Sequence, residues 1–300
     1  MTRILIGSAS WTDKTLIECG RFYPAGCKSA EARLRFYATQ FPLVEVDSSY
    51  YGMPTAHNAQ LWVERTPEDF TFNVKAFRLF TGHQTQATVL HKDIQQALGP
   101  NATKTPKPLY YADVPHEIRG ELWRRFIEAL APLKDAGKLG AVHFQFAPWL
   151  LRNRDGMAHV RHCVEAMQGH TLSVEFRNKS WFEAGNLEQT IAFERELGVA
   201  HTIVDSPQGF ANTVPCVWDV TTPDLALLRL HGRNKGTWNI KAEASSSRFD
   251  YWYSPDELGA MVPEIRHVAE QVKAMHIVFN TNNEDQGQVN ARLMRELLRV

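Results

Sequence analysis

The chain has 300 residues, 44% of them hydrophobic, 11% aromatic and 22% charged, a composition that supports a full buried core and excludes disordered and collagen-like chains. Lys plus Arg and Asp plus Glu number 33 each, so the formal net charge is zero and a globally basic nucleic-acid binder is disfavoured. The length suits one α/β barrel of roughly 250 residues as well as two smaller domains.

In chain order, the opening segment MTRILIGSASW turns polar too early for a signal peptide, and no 18-residue apolar run follows it. The expectation is a cytoplasmic protein with no membrane segment. Cysteines at 19, 27, 163 and 216 lack CxxC spacing, which predicts reduced thiols and no structural zinc. Short β-rich runs then recur eight times: ILIGS from Ile4, LVEVD from Leu43, FTFNVK from Phe70, LGAVHFQF from Leu139, TLSVEF from Thr171, AHTIVD from Ala200, LALLRLHG from Leu225 and MHIVFN from Met275.

Helix-compatible stretches separate most of these runs. Residues 29–41 begin on the N-cap candidate Ser29 and carry Leu34, Phe36, Tyr37 and Phe41 near helical spacing. Residues 118–136 read the same way. Ser254, Pro255 and Glu257 predict a capping box with proline in the first turn. Near 288–299, Val289, Leu293, Leu297 and Leu298 define one face. Strand-then-helix order throughout predicts a single α/β barrel of eight parallel strands, 1–300, of the TIM type. Two stretches depart from the pattern. Residues 78–117, long and polar, predict an insertion after strand 3, either a functional excursion over the barrel mouth or a flexible one. Residues 206–223, with three prolines, predict a loop or small hairpin where a helix would stand.

Barrel chemistry sits where strands end, so polar residues there are site candidates. Strand 1 offers Ser8, strand 2 Glu45 and Asp47, strand 3 Asn73 and Lys75, strand 4 His143 and Gln145, strand 5 Ser173, Glu175 and Arg177. Asp205, Arg229, His231 and Asn280 complete the set. Unpaired buried charge costs several kcal/mol, so these groups form either an ion-pair lattice alone or a ligand site that includes one. Trp11, Tyr50, Tyr51, Trp149, Trp181 and Trp238 fall in the following loops, as packing or as platforms for a planar or sugar-like ligand.

The strings GSASW, VEVDSSYYGMP, HFQFAP, VEFRNKSW, RLHG and FNTNNEDQGQVNA, in this order from Gly7 to Ala291, resemble the domain of unknown function 72 family, also called YecE-like. The resemblance implies a TIM-type barrel and leaves activity unassigned. It places the family's acidic and polar element on Glu45, Asp47, Ser48, Ser49 and Tyr51, its Glu-Phe-Arg element on 175–177 and its Arg-Leu-His-Gly element on 229–232. Asn178 stands where the family usually has His, so a histidine step there would be lost, leaving His231 as the strand-end alternative. Asp47 and Tyr50 also depart from the common pattern.

The leading functional expectation is a hydrolase- or phosphoesterase-like enzyme on an anionic substrate, a phosphate ester or sugar phosphate. Lys75, Arg177 and Arg229 would hold the anion, with Asp47, Tyr51, Gln145, Trp181, Asn280 and Trp11 lining the site. Glu45 or Glu175, its pKa raised by burial, would act as acid or base, with His231 and Asp205 as further catalytic candidates. A divalent-metal variant would use Glu45, Asp47, Glu175, Asp205 and His231, against the repulsion of three nearby cations. A second reading is a nucleic-acid-binding or phosphodiester-processing protein, with a basic patch at Lys104, Lys107, Arg152, Arg154, Arg233, Lys235 and Lys241. A third is a non-catalytic small-molecule binder. The sequence contains no P-loop, no GxGxxG opening a helix and no GxSxG elbow. The segment NTNNEDQG reads as a solvated turn in preference to a phosphate nest.

Overall fold

A computed structural model describes residues 2–99, 107–183, 185–240 and 245–300. Eight strands, β1 (Arg3–Ala9), β2 (Leu43–Val46), β3 (Thr71–Lys75), β4 (Leu139–Gln145), β5 (Leu172–Glu175), β6 (Ala200–Asp205), β7 (Leu225–Leu230) and β8 (Ala274–Phe279), close a barrel in sequence order. Every pairing is parallel, and β8 returns to β1 with Arg3 opposite Ala274 and Ser8 opposite Phe279.

Side chains of a strand alternate between faces, and the barrel sorts them cleanly. On β7, Ala226, Leu228 and Leu230 join the large apolar layer between strands and helices, while Leu225 and Leu227 belong to two small clusters inside the barrel. Arg229 and His231 continue that inward parity. The interior is therefore apolar only in part. Leu5, Ala9, Leu43, Leu227 and Val278 form one patch, Ala141, Ala200 and Leu225 another, and polar residues such as Glu45, Asn73, His143, Glu175 and Arg229 fill inward positions beside them.

Local chemistry fixes the surrounding helices. Ser29 accepts a hydrogen bond from the Ala32 amide to cap Ala30–Gln40, whose Leu34 and Tyr37 are buried. The Ser254 hydroxyl and the Glu257 carboxylate form the expected reciprocal box at the start of Pro255–Ala269. The last helix, Gln286–Leu298, buries Asn290, Ala291, Met294 and Leu298, whereas Val289 is exposed. The apolar stripe read from the sequence is thus rotated, because polar residues after β8 take part of the inner face.

Residues 206–224, between β6 and β7, run as loop with neither helix nor hairpin. The 78–117 excursion divides in two, with 100–106 outside the described residues. Its beginning lies at the barrel mouth, where the Ala147 amide donates to Thr81 O at 2.9 Å. Its described residues from Ala87 on pack on the barrel flank. Leu90, Ile94, Tyr111 and Val114 are buried, Thr85 bridges Leu109, and Asp93 pairs with Arg125 of the helix His116–Asp135. Buried apolar anchors make this second part a packed flank element, not a cover of the mouth.

Candidate functional site

Inward parity carries Glu45, Lys75, His143, Gln145, Glu175, Arg177, Arg229, His231 and Asn280 to the C-terminal end of the barrel, the end at which barrel enzymes carry their sites. In the deepest layer the Arg229 guanidinium lies between two carboxylates, 2.6 Å from Glu45 Oε1 and 2.5 Å from Glu175 Oε2, with no exposed side-chain surface on any of the three. Gln145 Oε1 accepts from Arg229 Nη1 at 3.1 Å and from Lys75 Nζ at 3.3 Å, linking this layer to the one above. There Lys75 pairs with Asp47 at 3.2 Å, and Arg177 donates to Glu175 Oε1 at 3.0 Å.

Burial alone would raise the Glu175 carboxyl, as the sequence reading expected. Arg229, His231 and hydrogen bonds from His143 and His231 outweigh it and hold Glu175 well below the usual carboxylate range. Glu175 is an anion at neutral pH, and the expected neutral acid is corrected. Asp47 is likewise lowered, burial being overcome by Lys75 and Arg229. His231 is pushed down to about 3, chiefly by burial. Asn280 Nδ2 donates to its Nδ1 at 2.9 Å, which leaves Nε2–H facing Glu175 Oε1 at 3.2 Å. With both ring nitrogens engaged, His231 orients Glu175 and has no lone pair to offer as a base.

Aromatic groups line the upper layer. Arg177 stands 4.8 Å over the Trp238 ring, and Trp238 and Phe249 both pack edge-on or tilted against His231. Lys75 and Arg78 both lie over the Tyr50 ring, at 4.9 and 5.2 Å. Arg248 is lowered by burial and by repulsion from Arg177, which brings a further guanidinium to the same rim. Tyr51 is half exposed beside Tyr50, and Trp149 is anchored by Nε1 donation to Gly82 O at 2.9 Å.

Three expected site residues lie elsewhere. Trp181 is wholly buried, stacked on Phe176 at 3.7 Å, so it supports β5 from behind. Trp11 is buried against Trp62 and Phe72 in the outer layer. Asp205 shares the outward parity of His201 and Ile203. Both its oxygens accept from Arg233 at 2.9–3.0 Å and Oδ2 also from Tyr253 at 2.6 Å, beside a separate cleft of about 500 Å³ with Ser206, Cys216 and Lys235. Ser8 also points outward, to Tyr37 Oη at 3.0 Å. Thr281, Asn282, Asp285 and Gln286 are buried, so NTNNEDQG is no solvated turn.

The metal variant does not fit this donor set. The space between Glu45 and Glu175 is filled by a guanidinium, Asp205 points away, and the nitrogens of His231 are engaged. Among the described residues no group of three His, Cys, Asp or Glu is arranged to hold a metal ion. Of the basic residues grouped as a patch, Lys104 and Lys241 lie outside the described residues, Arg233 is committed to Asp205, and Arg152 donates to Gln189 at 2.8 Å. Sequence reasoning missed Arg78, His83, Arg248 and Phe249, which reach the mouth from loops where strand parity gives no signal.

A closed parallel barrel with a polar, cation-rimmed C-terminal mouth defines a TIM-type α/β protein with its candidate site in the usual place. The model of the family described as "Protein of unknown function DUF72" matches residues 5–300, and the chain belongs to that family. A curated relative, "UPF0759 protein YunF" of Bacillus subtilis, is 32% identical over 301 residues, covering 99% of this chain and 95% of that protein. A crystal structure of a DUF72 family protein from Enterococcus faecalis superposes with a TM-score of 0.78 at 27% identity, covering 100% of this chain and 96% of that one. Another from Thermotoga maritima, at 24% identity and a TM-score of 0.76 over 99% of this chain and 100% of that one, shares the fold. No helix among the described residues is long and apolar enough to cross a membrane.

Proposed function

We propose that the protein is an enzyme whose barrel mouth binds an anionic substrate, a phosphate ester or sugar phosphate. The carrying observation is the layering of charge. Glu45 and Glu175 share the Arg229 guanidinium below, with Arg177 as a second partner of Glu175, while Lys75, Arg78 and Arg248 gather above with Asp47 as the acid among them. Arg177 commits one hydrogen bond, to Glu175, and keeps further N–H donors for two oxygens of a phosphate group. Trp238, Tyr50 and Tyr51 supply faces for a ring. Glu175, fixed as an anion with both oxygens engaged by Arg229, Arg177 and His231, fits the role of charge stabiliser and not that of general acid or base.

The test is calorimetric titration of sugar phosphates into the full chain, with phosphorus NMR to follow turnover. Arg177→Gln is expected to weaken binding about 10- to 100-fold, the range of a charge-assisted hydrogen bond. Equal binding by the variant overturns the anion reading. Tight binding without any turnover makes the protein a sensor and not an enzyme. The exposed rings of Tyr51 and Trp149 beside these cations favour single-stranded nucleic acid as the second reading, marked by binding that falls steeply with salt.

A further inference from the structure

The first turn of the excursion after β3 contributes a group that neither strand parity nor family motif marks: His83. Its ring is held edge-to-face between Tyr50, 5.2 Å away, and Trp149, 5.4 Å away. Its Nδ1 lies 2.9 Å from Thr81 Oγ1, and Thr81 Oγ1 also lies 3.0 Å from the carbonyl oxygen of Arg78. A threonine hydroxyl has one proton, and a carbonyl can only accept. With that proton on Arg78 O, which also accepts from the His83 amide at 3.0 Å, Thr81 Oγ1 accepts from His83 Nδ1–H. A neutral ring protonated at Nδ1 carries its lone pair on Nε2. Burial first, then Arg78, Lys75 and Arg177, push the imidazole down to about 3, so the ring is uncharged at neutral pH. Nε2 has no hydrogen-bond partner among the described residues.

The rim thus presents several cationic donors and, beside them, one uncharged imidazole whose Nδ1 is occupied by Thr81. Arg and Lys recognise the oxygens of an anion but not a hydroxyl proton. A lone pair does the reverse. We propose that His83 Nε2 accepts a hydrogen bond from a substrate hydroxyl, so that the mouth selects a hydroxylated phosphate ester over a bare oxyanion. This rests on the anion reading above and deepens it. Thr81 acts through His83 as a positioning residue.

The experiment uses the full chain with nitrogen-15 histidine, His83→Phe to assign the resonance, and two probes: glycerol 3-phosphate, which carries hydroxyls, and sulfate, which carries none. Long-range proton–nitrogen spectra at neutral pH are expected to show His83 protonated at Nδ1. Glycerol 3-phosphate should shift Nε2, and sulfate should bind and leave it in place. His83→Phe should weaken glycerol 3-phosphate about tenfold, the upper range for a neutral hydrogen bond, with sulfate unchanged within about twofold. His83→Gln, which returns an acceptor, should recover part of the loss. Protonation at Nε2 in the free protein, or binding of both probes with Nε2 unmoved, overturns the role of His83 and leaves the anion site standing. Binding of neither probe overturns the anion reading and this inference with it.

Discussion

Arg229 and Glu175 form an ion pair at 2.5 Å in which neither side chain has any exposed surface, and the same guanidinium reaches Glu45 on the opposite side of the barrel. A charge so deep is tolerated because each partner neutralises another, and removing one leaves the rest unpaired. Arg229→Met, close in length and uncharged, is expected to lower the unfolding free energy by about 3–5 kcal/mol in urea denaturation. A loss under about 1 kcal/mol would contradict a buried ion pair between Arg229 and Glu175.

Acid should weaken the fold in two stages. His83, His231 and His276 all sit at about 3 in the folded chain against an ordinary value of 6.5, so below pH 6.5 the unfolded chain takes up protons that the folded one refuses. The contribution of these three histidines is complete above that value and falls as pH drops toward 3. The depressed Glu175 adds to the loss only below the ordinary carboxylate range. Urea midpoints measured from pH 8 to 4 should decline from about 6.5 downward, and a flat profile between 6.5 and 5 contradicts neutral buried imidazoles.

Glu194 and His201 face each other at 2.8 Å outside the barrel wall, both buried. Either single replacement by Leu strands one polar partner, whereas the double replacement removes both. Denaturation of the Glu194→Leu, His201→Leu and double variants should show the double variant more stable than the sum of the singles by about 1–3 kcal/mol. Strict additivity would mean that the pair is not coupled.

Gly7 admits no side chain. A Cβ there would lie 1.8 Å from Leu43 O, on the strand beside it, where Tyr37 Oη also donates at 3.0 Å. Gly7→Ala should open the β1–β2 seam and cost more than about 2 kcal/mol, read as a lowered Tm. A variant as stable as the parent would contradict this close approach.

Much of the mouth was legible from strand-end parity. Two-residue periodicity placed Glu45, Lys75, Gln145, Glu175, Arg177, Arg229 and His231 on one inner face, and backbone geometry obliged the structure to agree. The same parity, applied to β6, would have put Asp205 outside. Trp11 and Trp181 misled because a Trp after a strand can turn to the ligand or back to the core, and only packing with Trp62 or Phe176 settles which.

The eight-strand order, the helix caps at Ser29 and Ser254 and the family itself were determined by the sequence alone, since each is a local or linear property. Tertiary structure decided the rest. Whether 33 cations and 33 anions cancel at random or in register depends on distances between strands far apart in the chain, as with Arg229 and Glu45, separated by 184 positions. The ionisation of Glu175 depended on the sum of burial and neighbours, and burial alone gives the wrong sign. The contact between His83 Nδ1 and Thr81 Oγ1 exists only once both side chains meet.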